Sequence, residues 1–117
     1  MPPRRTARVW RGWTTPENAD AYQRLLLTEV IPGIEARGIA GLLQIDVLRR
    51  DDGDSVEFTT IMAFDSIEAI ERFVGPDATL AYVPPAARAL LARFDTRAVH
   101  HDLLDRRSQP DLARGRQ

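Results

Sequence analysis

The sequence predicts an α+β domain of the ferredoxin-like, split βαβ kind, a four-stranded antiparallel sheet with two helices on one face. Three observations carry this expectation. Two runs that alternate with a period of two flank Asp51-Asp52-Gly53-Asp54, as in a hairpin. Helical stripes follow the runs that begin at Ala7 and at Val56. A last alternating run closes the order strand, helix, strand, strand, helix, extra segment, strand.

Ala7 to Thr14 is the first strand, with Val9, Arg11 and Trp13 on one face and Arg8, Trp10 and Gly12 on the other. Thr15 caps the helix that follows. Pro16 fits its first position, where a missing amide hydrogen costs nothing, and Glu17 suits the dipole. Ala19, Tyr22, Leu26 and Val30 form the buried stripe, and Pro32-Gly33 is expected to end the helix near Ile31. Ile34 to Gly41 is read as a connection containing one helical turn. Leu42 to Arg50 and Val56 to Phe64 form the hairpin, with Gly53 supplying positive φ at the turn. Leu43, Ile45 and Val47 share one face of the first of these strands.

Asp65 or Ser66 caps the second helix, whose stripe is Ile67, Ile70 and Phe73 or Val74 and which Gly75-Pro76 stops. Asp77 to Val83 has no clear period. Pro84-Pro85 opens a short helix over Ala86 to Arg93, and Thr96 to Leu104 is the last strand. In that strand Val99, His101 and Leu103 share a face, with His100 opposite. The domain spans 7–104, and 1–6 and 105–117 are expected to be flexible.

Composition narrows the chemistry. The chain has 117 residues, a formal net charge of -1 and no cysteine, so disulfides, thiolate metal sites and a cysteine nucleophile are excluded. All 16 basic residues are Arg, which rules out a lysine Schiff base and hence covalent pyridoxal phosphate. No run reaches the length of a membrane span, and no nucleic-acid motif, phosphate loop or nucleophile elbow is present. The expectation is a cytoplasmic protein with neither nucleic-acid nor membrane partner. Leu42, Leu48, Ile61 and the first-strand aromatics leave one sheet face too apolar for water, so a homodimer is expected.

Val9-Trp10-Arg11-Gly12-Trp13-Thr14, the helix start Pro16-Glu17-Asn18-Ala19-Asp20-Ala21-Tyr22, the hairpin Leu48 to Asp54, and Asp65-Ser66-Ile67-Glu68-Ala69-Ile70 together resemble the antibiotic-biosynthesis-monooxygenase-like proteins. Val99-His100-His101 is similar to the valine-x-histidine of their last strand. The resemblance covers about Ala7 to Leu104 and implies a dimeric α+β barrel, with a pocket between sheet and helices in each subunit. It also implies cofactor-free oxygenation of an electron-rich, polyketide-type aromatic, among a group that holds isomerases, haem-degrading enzymes and proteins of no known activity. The haem-degrading pattern finds no match, because the lone Asn is Asn18 in the first helix and both Trp lie on the first strand.

Within that frame His101 is the candidate base, since imidazole titrates near about pH 6.5 and exchanges protons with acidic phenols or anthrones. The competing reading is a packing role with one ring nitrogen on a backbone carbonyl. Tyr22 is the second catalytic candidate, as a donor to quinone or phenolate oxygen. Trp10, Trp13 and Tyr82 are candidate walls for a flat aromatic substrate, against the commoner role of aromatics as core. Arg88 is a candidate anionic contact, against a solvated surface charge. Adjacent His on one strand face opposite ways, so no metal site is expected, and the resemblance implies that no cofactor is used. Two other classes stay open: a non-catalytic dimer that binds a hydrophobic metabolite, and a cofactor-free isomerase or cyclase.

Overall fold

The computed structural model describes residues 5–111. β1 (Thr6–Thr14) leads into α1 (Pro16–Leu25), a wider π turn over Leu26–Val30, and α2 (Ile31–Ala36). The hairpin β2 (Leu42–Asp51) and β3 (Val56–Phe64) follows, then α3 (Ile67–Val74), α4 (Pro85–Leu90), β4 (Arg93–Phe94) and β5 (Val99–Asp102). The antiparallel sheet runs β2-β3-β1, with β4 and β5 both on the far edge of β1. This is the ferredoxin-like α+β arrangement, and among the described residues no helix is long and apolar enough to cross a membrane.

The local signals act as anticipated at most ends. Thr15 accepts a hydrogen bond from the Asn18 amide at 3.3 Å with Pro16 at the start of α1. Ser66, rather than Asp65, caps α3, accepting from the Ala69 amide at 3.2 Å while its own hydroxyl donates to Asp65. Gly53 has φ 73° in the hairpin turn.

Four expectations are corrected. The first helix does not end near Ile31 but continues to Ala36. In an α-helix the Pro32 ring clashes with the carbonyl four residues back; here the Ile31 amide bonds to Leu26 O and the backbone widens by one residue ahead of Pro32. Continuation carries Ile34 into the core. The last strand is split: between its two pairings with β1, Asp95 to Ala98 stand opposite only Trp10 and Arg11, and the extra residues bow outward. The bow is held by the segment after α3, through Ala81 N to Thr96 O at 3.1 Å and Ala98 N to Thr79 O at 2.8 Å. Arg93 leaves the short helix for the sheet, because Ala92 N bonds Trp13 O at 2.8 Å. Finally, a bulge between Leu42 and Gln44 puts Leu42 with Ile45 and Val47 under the helices and leaves Leu43 exposed.

The termini fall partly outside the described residues. Thr6 is buried and paired with both Phe64 and Asp102, so it belongs to the domain. Residues 105–111 carry no regular structure, and the rest of the two expected flexible segments, 1–4 and 112–117, lies outside the description.

The core sits on one face of the sheet. Tyr22, Leu26, Val56 and Phe58 make one cluster, and Ile34, Met62, Phe64, Ile70 and Phe73 the other. Tyr22 meets Phe58 edge-on with ring centroids 4.8 Å apart, a preferred aromatic geometry. Gly41 closes the α2–β2 connection at φ 93°; a Cβ there would overlap the Asp65 carboxylate and sit 2.6 Å from Ala69 Cβ. Gly41→Ala is therefore expected to cost about 3 kcal/mol. Gly53→Ala, with the same sign of φ but open space around it, should cost only about 1 kcal/mol, and chemical denaturation of the two variants checks the difference.

Candidate functional site

Strand alternation decides what the cavity contains. On β1 the inward residues are Thr6, Arg8, Trp10, Gly12 and Thr14, and on β3 Val56, Phe58, Thr60, Met62 and Phe64. Of these, Arg8, Trp10, Thr60 and Met62, together with residues of α1, the π turn, α2, α3, α4 and the segment between the last two helices, line a cavity of about 40 Å³. At roughly 10–15 Å³ per water, the space holds about three waters, so a ring-sized ligand enters only if a wall moves. Tyr82, Val83 and Pro84 supply that wall. They belong to no helix or strand, and Tyr82 is 40% exposed.

Tyr22 lies at the inner wall, 1% exposed. Its hydroxyl has no hydrogen-bond partner among the described residues, and burial pushes its pKa up to about 12. It is a protonated donor at neutral pH. Thr60 adds a second hydroxyl to the wall. Trp10 lies along its own strand over Gly12, where a Cβ would come within 2.7 Å of the indole, and its Nε1 donates to Asp95 O at 2.7 Å. The indole is thus a fixed apolar wall whose donor is already engaged.

Arg8 is the polar group that sequence analysis passed over. It is 3% exposed and lines the cavity. Nη1 donates to Ala78 O and lies 3.1 Å from His100 Nε2, Nη2 donates to Leu80 O, and the guanidinium carbon stands 5.5 Å from the Phe73 ring centroid. Desolvation lowers its pKa to about 10, which leaves it charged at neutral pH. The signal was present in the alternation, a charge on the same strand face as Trp10 and Gly12.

The expected site residues divide. Tyr22, Trp10 and Tyr82 come together at the cavity. His101, Trp13 and Arg88 do not. His101 is exposed and pairs with Ala7 on the sheet face turned away from the helices, so the apolar pocket expected around it is absent within its own chain. Facing the helices is His100, opposite Arg8, because the register of β5 puts even-numbered residues inward. Trp13 lies on the outer face with the Arg93 guanidinium carbon 3.8 Å above its ring. Arg88 is exposed on α4, 5.1 Å from the Phe94 ring centroid. Among the described residues no group of three His, Asp or Glu is placed to hold a metal ion.

His100 is held below its ordinary pKa, first by burial and then by the charge of Arg8 and by His101. Its neutral ring accepts from Arg8, and protonation would set two cations side by side. Because the folded pKa is lowered, the unfolded chain binds the extra proton first, and the stability due to this group is complete above about pH 6.5. It is lost as pH falls from there through the folded pKa. Melting temperature of the wild type should therefore drop between about pH 6.5 and mildly acidic pH by more than that of His100→Gln, as pH-dependent calorimetry would measure.

No family model matches the sequence, and no curated protein matches it. Solved structures do. A candidate antibiotic biosynthesis monooxygenase from Bacillus cereus aligns over 91% of this chain and 99% of its own, with TM-score 0.62 and 10% identity. A second, from Chloroflexus aurantiacus, gives TM-score 0.56 and 20% identity over 89% of this chain and 97% of its own. A protein of Shewanella oneidensis gives TM-score 0.59 and 21% identity over 84% and 91%. At these identities the likeness is one of fold, and this chain has the α+β fold of the antibiotic-biosynthesis-monooxygenase-like proteins.

Proposed function

We propose that the chain is a cofactor-independent, monooxygenase-like enzyme acting on an electron-rich, polyketide-type aromatic. The observation that carries this reading is the apolar cavity between sheet and helices, with the unpartnered Tyr22 hydroxyl on its wall. The fold neighbours named for antibiotic biosynthesis monooxygenases agree with it. For an anthrone, one proton passes from the ring CH2 by way of a cavity water to the neutral His100 imidazole, leaving a carbanion whose charge is shared with the carbonyl oxygen, where the Tyr22 donor stabilises it. Dioxygen takes up the electron pair as a C–O bond forms, and O–O cleavage with loss of water leaves a new carbonyl. One oxygen atom enters the product and the other leaves as water. The substrate itself is the reductant.

His100, in contact with Arg8, replaces His101 as the imidazole nearest the cavity. The absence of any His or carboxylate among the described residues that line the cavity favours, as second reading, a protein that binds a hydrophobic metabolite without converting it. Dioxygen uptake by purified protein with a panel of anthrones and hydroquinones separates the readings. Uptake should fall by about tenfold in Tyr22→Phe, the worth of one hydrogen bond to an anion, fall in His100→Gln, and persist in His101→Ala. Substrate loss without dioxygen would replace oxygenation by isomerisation or cyclisation. Substrate that binds unchanged supports the second reading.

The partner is a second copy of the chain. Leu48 and Val99 are 48% and 52% exposed on the outer sheet face, where Val9 pairs with both Ile61 and Val99, while Asp46 stands opposite Ile61 and Thr59 opposite Leu48. An isologous contact there would bury Leu48, Ile61, Val9 and Val99 together with the polar groups interleaved with them. Sedimentation should give a species of about 26 kDa, twice the 13.2 kDa chain, and Leu48→Arg should yield monomer.

A further inference from the structure

Arg8 presents an imbalance that the proposed chemistry does not use. A guanidinium has five N–H groups, and three are engaged here, by Ala78 O, Leu80 O and His100 Nε2. Two have no partner among the described residues. Every engaged partner is neutral, and the Phe73 ring adds only its π face. No carboxylate within the described residues pairs with this cation, although Arg11, Arg49, Arg50, Arg97 and Arg107 all have one. Buried charges are ordinarily paired, because desolvation without a counter-charge is costly. Exposed arginines such as Arg24 and Arg88 also make no ion pair among the described residues but keep their hydration, whereas Arg8 is 3% exposed, lines a cavity and has no counter-charge there.

We propose that the cavity takes an aromatic ligand bearing a carboxylate, and that Arg8 is the specificity-determining residue that holds it. Two remaining N–H groups on one planar cation suit the two oxygens of a carboxylate, which a phenol or a carbonyl, with one oxygen, cannot match. The neutral partners act as a brace. Ala78 and Leu80 belong to the segment that continues into the Tyr82 wall, so the same side chain that meets the ligand anchors the wall that must move to admit it. With the carboxylate on Arg8, the ring lies among Trp10, Tyr22 and Phe73. This proposal rests on the cavity being a small-molecule site, and the test separates the two.

Binding of benzoate and naphthoate to the full chain is compared by calorimetry with binding of benzamide and naphthamide, neutral isosteres, near neutral pH. The acids are expected to bind about tenfold or more tightly than the amides. That preference should vanish in Arg8→Gln, with amide affinity retained, and survive in Arg88→Gln, which removes the cation exposed on α4. If Arg8→Gln does not fold, the wild type and Arg88→Gln decide: preference kept in both supports the assignment, and preference lost with Arg88 overturns it. Equal affinity of acids and amides for the wild type overturns the carboxylate assignment and leaves the cavity as an aromatic site. No binding of either class overturns both.

Discussion

The alternation of β1 and β3 is the constraint on which the rest of the molecule depends. These strands pair along their full length, from Thr6 with Phe64 to Thr14 with Val56. Because a strand turns successive side chains to opposite faces, a register with Phe58, Met62 and Phe64 inward also carries Arg8 and Trp10 inward. The same count, transmitted across β1 to β5, places His100 against Arg8 and His101 on the outer face. A slip of one residue would exchange the two histidines and expel the core. The chemistry available to the cavity is thus set by the packing of its floor.

An arginine on that floor imposes a second demand. Its N–H groups need acceptors, and helices satisfy their own carbonyls, so acceptors must come from irregular backbone. The segment after α3 supplies them through Ala78 and Leu80, and is in turn tied to the outward bow before β5 through Thr79, Ala81, Thr96 and Ala98. An ion pair between Arg97 and Asp77 spans the same junction. What reads along the chain as two unrelated irregularities, the aperiodic stretch after Gly75 and the break in the last strand, is one device that roofs the cavity over Arg8.

The long first helix answers a different problem. A helix ending at Ile31 would leave the sheet near Met62 and Phe64 uncovered, and Ile34 fills that place. The π turn reconciles coverage with Pro32, at the expense of one residue of helical register. Leu26 and Val30, at the ends of that turn, lie on the cavity wall. Wide turns of this kind recur at functional sites because they break the regular spacing of side chains. Here Leu26 and Val30, already on the helical stripe of Tyr22, line the same space, and the wider turn lets Ile31 and Ile34 beyond it line the space too.

Sequence alone was sufficient for the order of elements, the cap at Thr15, the Gly53 turn, and the inward stripe of Ala19, Tyr22 and Leu26. These follow from local rules, in which a period or a capping oxygen acts over a few residues. It was also sufficient to bring Trp10, Tyr22 and Tyr82 under suspicion. Tertiary structure decided which histidine faces the helices, because the parity of β5 depends on its register with a strand some ninety positions earlier, His100 opposite Arg8. It decided that Pro32 is passed rather than obeyed, since burial of Ile34 outweighs a local helix breaker. And it decided the meaning of Arg8, an ordinary strand arginine until the sheet, the helices and the segment after α3 close around it and leave its charge without a counter-charge among the described residues.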